Sequence, residues 1–492
     1  MINKIVFEDE IVLYWDRAKE FVKGYSYCVY YNGKIAYTEK THFSICNLKE
    51  TPFIEMSVRL VDENKMLVRE YEKEKIYLPN PKKRIDVTKS PYFAVGDGKT
   101  LNTEKLQRAL SDCKPNECVY VPEGIFLTGG LDVHSNTEIY LEKGAVLQGT
   151  ENPSDYLPKI KSRFEGIERM CYRSLINMGK LDASSGYNCK NVIIRGHGAI
   201  LGGGKALMEN VIITESGRPY SSIYELDEDQ QNAKRIRGRL INISNTQNVV
   251  IYGIEAGMGP AWNIHMIYSD NIVTAGCYIH SEEVNNGDGW NPDSSTNCTL
   301  FNCDFKTRDD MVAIKSGKNP EGNVINRPSN NIRVFDCRSS MGHGIAMGSE
   351  MSGGISDVYI WDCDIETSRC GLEIKATKKR GGYIKNVFVN NCKSSIIAIR
   401  SVGYNDDGIP AITPPSFENY YFEDVSVTGV YTLHTGEKRK CAPIIVCGFD
   451  GVYNAKNISF KNVKIKREND SEPQNIEISF ASGIAFENVF CE

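Results

Sequence analysis

Short runs in which apolar and polar residues alternate recur along most of the chain. From Asn136 onward each run opens on Asn or Asp, continues apolar-x-apolar-x, and closes on Asn, Asp or Gly followed by Cys, Val or Ile. Examples are NVIIRGHG from Asn191, NIVTAGCY from Asn271, NIRVFDCR from Asn331, DVYIWDCD from Asp357 and NISFKNVK from Asn457. Period-two alternation marks a strand, and Asn, Asp and Gly at its ends mark turns. A second strand follows within each unit, as in MVAIKSG from Met311, GIAMGSE from Gly344, GLEIKAT from Gly371 and IIAIRSV from Ile396. Irregularly spaced units of two or more short strands, joined by Gly and Asn turns, predict an all-β fold, a right-handed parallel β-helix. Leucine-rich repeats would keep a stricter period and a leucine consensus, and neither is present.

The first 85 residues read differently. Short strands alternate with turns, as in YSYCVYYNGKIAY from Tyr25, where Asn32-Gly33 suits a type I′ hairpin. With Trp15 and its regular strand spacing, the segment resembles the fibronectin type III family of small β-sandwiches. The proline-bearing stretch KEKIYLPNPKKRID (73–86) reads as a link, so the expected domains are 1–85 and 86–492. GDGKTLNTEKLQRAL (96–110) reads as a helix capping the open end of the coil.

At 492 residues, with 41% hydrophobic and 25% charged positions, the chain has ample core for a large all-β fold. A net charge of -5 leaves no basic footprint, so no nucleic-acid partner is expected, and an acidic substrate must be gripped locally. No apolar run approaches the ~20 residues that span a bilayer. The opening MINKIVFEDEIVLYW carries acidic residues where a signal peptide has its apolar stretch. A cytoplasmic protein with its sixteen cysteines reduced is therefore expected. Cys303, Cys337, Cys363 and Cys392 share one offset in successive units, which predicts an interior ladder of small apolar groups. No CxxC or His pairing accompanies them, so neither a metal nor a cofactor is expected.

The chemistry concentrates on the second strands. Asp309 and Asp310 stand directly before one of them, and His343 stands at nearly the same offset one coil later. Glu373 and Lys375 alternate with Leu372 and Ile374 in the next coil, which points both outward. Asp293 belongs to the preceding coil. Coils stack ~4.8 Å apart, so these six residues should share one face within about 15 Å. Single turn aspartates are ordinary in such coils; a whole set on one face is a candidate site.

NPD (291–293), RDD (308–310), GHG (342–344) and EIK (373–375), in this order, resemble the signature motifs of glycoside hydrolase family 28, the polygalacturonases. GSEMSGGI (348–355) and RGGYIKNVFV (380–389) are similar to its bacterial exo-acting branch, which often carries a fibronectin-type module in front. The resemblance implies inverting hydrolysis of pectic oligosaccharides. Asp309 would be the acid, Asp293 and Asp310 would hold and activate water, and His343 would orient acid or substrate. Asn291 would contact substrate, and Lys375 would grip a galacturonate carboxylate. An inverting pair is expected ~6.5–9.5 Å apart.

Two departures stand out. Arg308 replaces the glycine usual before the aspartate pair, and Glu373 replaces an arginine. Two expectations stand for Glu373: a salt bridge with Lys375 on the same face, or acceptance of hydrogen bonds from the hydroxyls of a neutral sugar with repulsion of galacturonate, Arg400 or Arg308 being the replacement cation and Tyr404 a stacking residue. The sandwich or residues 153–182 would block one end of the cleft and impose exo action. A polysaccharide lyase and a non-catalytic carbohydrate-binding β-helix are the competing readings.

Overall fold

The structure, a computed structural model, describes residues 1–48, 51–433, 435–466 and 475–492. The chain divides into two units, Met1–Lys83 and Arg84–Glu492.

In the first unit three antiparallel strands (Ile2–Val6, Ile11–Trp15, His42–Ile45) form one sheet, and five strands between Ser26 and Tyr77 form another. Both contribute to one core, in which Trp15 meets Tyr27 edge-on at 5.2 Å. Asn32 (φ 42°) and Gly33 (φ 80°) take the positive φ values that the Asn-Gly hairpin demands.

The second unit is a parallel β-helix. Three parallel sheets run its length, with thirteen, thirteen and eleven strands among the described residues, and within each sheet spatial order follows chain order. The repeat seen in the sequence builds one thirteen-stranded sheet, which includes Cys189–Gly196, Thr246–Tyr252, Asp270–Ala275 and Thr296–Phe301. Its leading residue is left-handed in coil after coil, at φ 57° for Asn191, 60° for Asn248, 55° for Asn271 and 58° for Asn331. Asn tolerates that conformation, and its amide stays free to bond along the stack. Asn248 Nδ2 donates to Asn191 Oδ1 at 3.0 Å, and Asn271 Nδ2 to Asn248 Oδ1 at 2.8 Å.

The second series of strands forms the eleven-stranded sheet, which includes Val312–Ile314, Ile345–Met347, Leu372–Ala376 and Ile397–Ser401. The other thirteen-stranded sheet escaped the sequence reading. Its strands shrink to two residues from Arg338–Ser339 onward, too short to show alternation.

Side chains stack like on like inside the coil. Phe301, Phe335 and Trp361 lie 4.9 and 4.3 Å apart. Cys303, Cys337, Cys363 and Cys392 form the expected interior ladder, and Cys277 extends it, its backbone N–H meeting Cys303 Sγ at 3.4 Å. Each large aliphatic side chain buried this way contributes about 1.5–3 kcal/mol. Helix Thr103–Asp112 adds Leu106, Ala109 and Leu110 to the same core. The long interval between Asn191 and Asn248 holds helices Gly204–Ser216 and Glu228–Lys234. A hairpin, Ile160–Phe164 with Ile167–Cys171, precedes it. Among the described residues no helix is long and apolar enough to cross a membrane.

Candidate active site

Outward positions of the eleven-stranded sheet align in two rows. One runs His265, Asn291, then Ala313, Ala346, Glu373 and Ala398; the other pairs Asp293 with Lys315 and Lys375 with Arg400. The two alanines at its middle leave room above the sheet. There a cleft of about 520 Å³ opens, lined by Asp288, Asp309, Asp310, His343, Lys375 and Tyr404 among others.

Asp309 and Asp310 sit in the turn between Thr307 and Val312, outside any strand, so alternation does not force either into the core. Thr307 Oγ1 donates to the Asp309 carbonyl at 3.0 Å, and the Asp310 N–H to Asp309 Oδ1 at 3.1 Å. His343 joins them, with Nδ1 2.9 Å from Asp309 Oδ1 and 3.4 Å from Asp310 Oδ1. The glycines beside it are sterically required. At Gly342 (φ 102°) a Cβ would meet the Asp309 carbonyl oxygen at 2.5 Å, and at Gly344 (φ 92°) that of Gly371 at 2.3 Å.

Burial opposes charge on both members of the His343–Asp309 pair, and each partner overcomes it for the other. The imidazole is pushed well above its ordinary pKa by Asp309, and the Asp309 carboxyl is held well below its own by His343 and Lys375. Asp310 Oδ1 is buried without a hydrogen-bond partner within the chain. The ligand atoms of this trio lie within 4.8 Å of one another. A cation bound here would have to displace the imidazole proton, since a protonated imidazole offers no lone pair.

Of the four resembling motifs, three meet here and NPD does not. Asp293 is fully buried beneath the cleft, bound by Arg163 at 2.7 Å, His265 Nε2 at 3.2 Å and the Gly317 N–H at 3.2 Å. Its neighbour Asn291, also fully buried, donates from Nδ2 to Asp288 Oδ2 at 2.6 Å rather than facing substrate. Asp288 is the carboxylate that this coil brings to the cleft, 3.5 Å from Lys315 Nζ. Burial, with the charges of Asp309 and Asp310, pushes its carboxyl well above the usual range against the pull of Lys315. The sequence reading missed Asp288 because NNGDG looks like a plain turn. It also missed Lys315, held by Glu350 at 2.9 Å and lying over Trp262 at 4.7 Å.

Glu373 faces outward as expected and lines the cleft, but both of its oxygens are already engaged by cations of the chain. It is 1% exposed, with Oε2 taken by Lys375 at 2.8 Å and Oε1 by Arg400. Lys375 also lies 4.0 Å from Asp310. Arg400 and Tyr404 line the cleft, whereas Arg308 is not among its lining residues. Glu165, at the tip of the 160–171 hairpin, does line it and pairs with Arg235 at 2.8 Å.

Glycosyl hydrolases family 28 matches residues 133–485. A probable polygalacturonase of Vitis vinifera is 30% identical over 402 residues, covering 73% of this chain and 77% of that protein. The exo-poly-alpha-D-galacturonosidase of Dickeya chrysanthemi is 27% identical, covering 70% of this chain and 62% of its own length. In structure, the family 28 exopolygalacturonase of Yersinia enterocolitica superposes with a TM-score of 0.79 at 21% identity, over 99% of this chain and 96% of that one. The matched span holds the whole carboxylate cluster and well over half the residues, and the chain belongs to family 28 of the glycosyl hydrolases.

Proposed function

We propose that this glycoside hydrolase acts from chain ends and releases galacturonic acid from pectic oligosaccharides with inversion. The observation that carries the chemistry is the graded exposure of three neighbouring carboxylates. Side-chain exposure is 26% for Asp309, 7% for Asp310 and 3% for Asp288. Asp309 stands outermost, where it reaches a leaving oxygen as the acid. Asp310, whose Oδ1 lacks a hydrogen bond within the chain, activates the attacking water, and Asp288, its carboxyl pushed up by burial, holds that water in place.

In the free site His343 and Lys375 keep Asp309 ionised. A substrate carboxylate brought into the cleft adds negative charge that weakens that hold, and exclusion of water favours the neutral acid, so binding draws a proton from solvent onto Asp309. Asp309 and Asp310 approach more closely than the usual inverting gap, at 4.8 Å or less between their nearest ligand atoms. The depth of Asp310 and Asp288 below Asp309 supplies room for water instead.

The names of the Vitis vinifera and Dickeya chrysanthemi relatives support a galacturonide substrate, and the latter supports exo action. So does the 160–171 hairpin, whose tip forms part of the cleft wall. The cytoplasm is the proposed location, supported by sixteen free cysteines.

The test is product analysis on pectic oligosaccharides in EDTA, with the first-formed anomer read by proton NMR. Saturated monomeric galacturonic acid of inverted configuration is expected. An unsaturated product, or a fall in polymer viscosity ahead of monomer release, overturns the reading. Retention would make Asp310 a nucleophile.

A further inference from the structure

A uronic acid needs a cation to hold it, and most cations of the cleft are already engaged. Lys315 serves Glu350 and Asp288, and His343 serves Asp309 and Asp310. Lys375 and Arg400 share Glu373, so their two positive charges leave one in excess, and two of Arg400's nitrogens, Nε and Nη2, face that carboxylate.

Arg369 is different. It lines the cleft and is exposed, and its guanidinium has no acid partner, hydrogen bond or ring contact, alone in this among the described cations of the lining. Its backbone is nonetheless fixed beside the acid. The Arg369 N–H donates to the Gly342 carbonyl at 2.6 Å and the Cys370 N–H to that of His343 at 3.0 Å. Arg369 thus projects from a rung pinned to the residue that holds Asp309.

We propose that Arg369 is the specificity-determining residue of this cleft, forming the two-pronged hydrogen bond to the carboxylate of a uronic acid unit beside the scissile bond. The assignment rests on the galacturonide reading above. A planar guanidinium presents paired donors that match a carboxylate, and a free one binds without first breaking an internal ion pair. Arg400 would have to leave Glu373 to do the same, exposing a buried carboxylate. Arg400 and Glu373 instead set the position and net charge of Lys375.

The experiment compares the wild type, Arg369→Ala, Arg369→Lys and Arg400→Ala on a short galacturonide and on its methyl ester, with folding followed by thermal melts. Arg369→Ala is expected to lose roughly 10–100-fold in kcat/KM on the free acid and several-fold at most on the ester. The loss should fall mainly on KM, and Arg369→Lys should recover only part of it because a point charge lacks the fork. Equal losses on acid and ester would make Arg369 structural and overturn the proposal. So would discrimination against the ester that survives in Arg369→Ala and vanishes in Arg400→Ala. A wild type inactive on all galacturonides would instead fail the underlying function, which separates the two outcomes.

Discussion

The Arg163 guanidinium lies 2.7 Å from Asp293 Oδ1, with both side chains fully shielded from water. The arginine comes from the 160–171 hairpin and the aspartate from a strand of the coil, 130 residues along the chain. This pair ties the hairpin that borders the cleft to the sheet that floors it.

Breaking the pair should therefore cost stability before chemistry. Arg163→Met leaves an uncompensated buried carboxylate and should lower unfolding free energy by about 3–5 kcal/mol in chemical denaturation. The Asp293 carboxyl is held far below its ordinary pKa, chiefly by Arg163 and His265 against burial. Its contribution is thus present above about pH 4 and lost on further acidification. Asp293→Asn should melt lower than wild type near neutrality, and the gap should narrow toward pH 2. A gap that stays constant would refute the ion-pair account.

For the carboxylates the expectation is kinetic. Asp309→Asn and Asp310→Asn should each lower kcat by 10²-fold or more with little change in melting temperature. Asp288→Asn should fall short of that, because an amide still donates to the water that a protonated carboxyl would hold. Near-normal activity in the first two would remove them from the mechanism.

His343 sets a pH limit. Its folded pKa is raised by Asp309, so the stabilisation is complete below about pH 6.5 and is lost as pH rises through the folded value. Melts of wild type should decline on the alkaline side, and those of His343→Gln should lack that decline. Nitrogen NMR of the imidazole should show it still protonated at pH 7.5, and Asp309→Asn should bring its titration back toward the ordinary range.

Glu373→Arg restores the residue usual in the family motif, but here it should be harmful. It would set a third cation against Lys375 and Arg400 at a site 1% exposed. A loss of several kcal/mol in stability is expected rather than a change of substrate. A fully stable variant would show that Arg400 moves aside freely.

All sixteen cysteines are free thiols, most of them buried. Titration of the unfolded protein with a thiol reagent should find sixteen, against a slow and much smaller count in the native state. A substantially lower unfolded count would argue against a reducing compartment.

The aspartate pair and its histidine were legible because turn position and coil offset are sequence properties. What alternation gave for Glu373 was its face, not its depth, and the two cations that bury it come from its own strand and from the next strand of the sheet, where Arg400 stands beside Lys375. Asp293 was misjudged for a similar reason. Nothing near residue 293 reveals Arg163, and only the folded hairpin supplies the partner that makes a carboxylate expected to hold water a buried anchor. Asp288 hid in a Gly-rich turn, and Arg369 carries no pattern at all, since being unpaired is a property of the neighbourhood.

The asparagine ladder has a consequence for how such a protein can change over generations. Asn248 still reaches Asn191 across 57 residues, at 3.0 Å, as readily as Asn271 reaches Asn248 across 23. Two helices, Gly204–Ser216 and Glu228–Lys234, lie between these two rungs without disturbing the corner where they meet. The connections between rungs can therefore change length while the ladder keeps its alignment. Exchanging the helical stretch 204–234 for another length, with strands Ala199–Leu201 and Ile241–Ser244 kept, should yield a folded enzyme, which makes this interval a natural place for the chain to gain or lose whole elements.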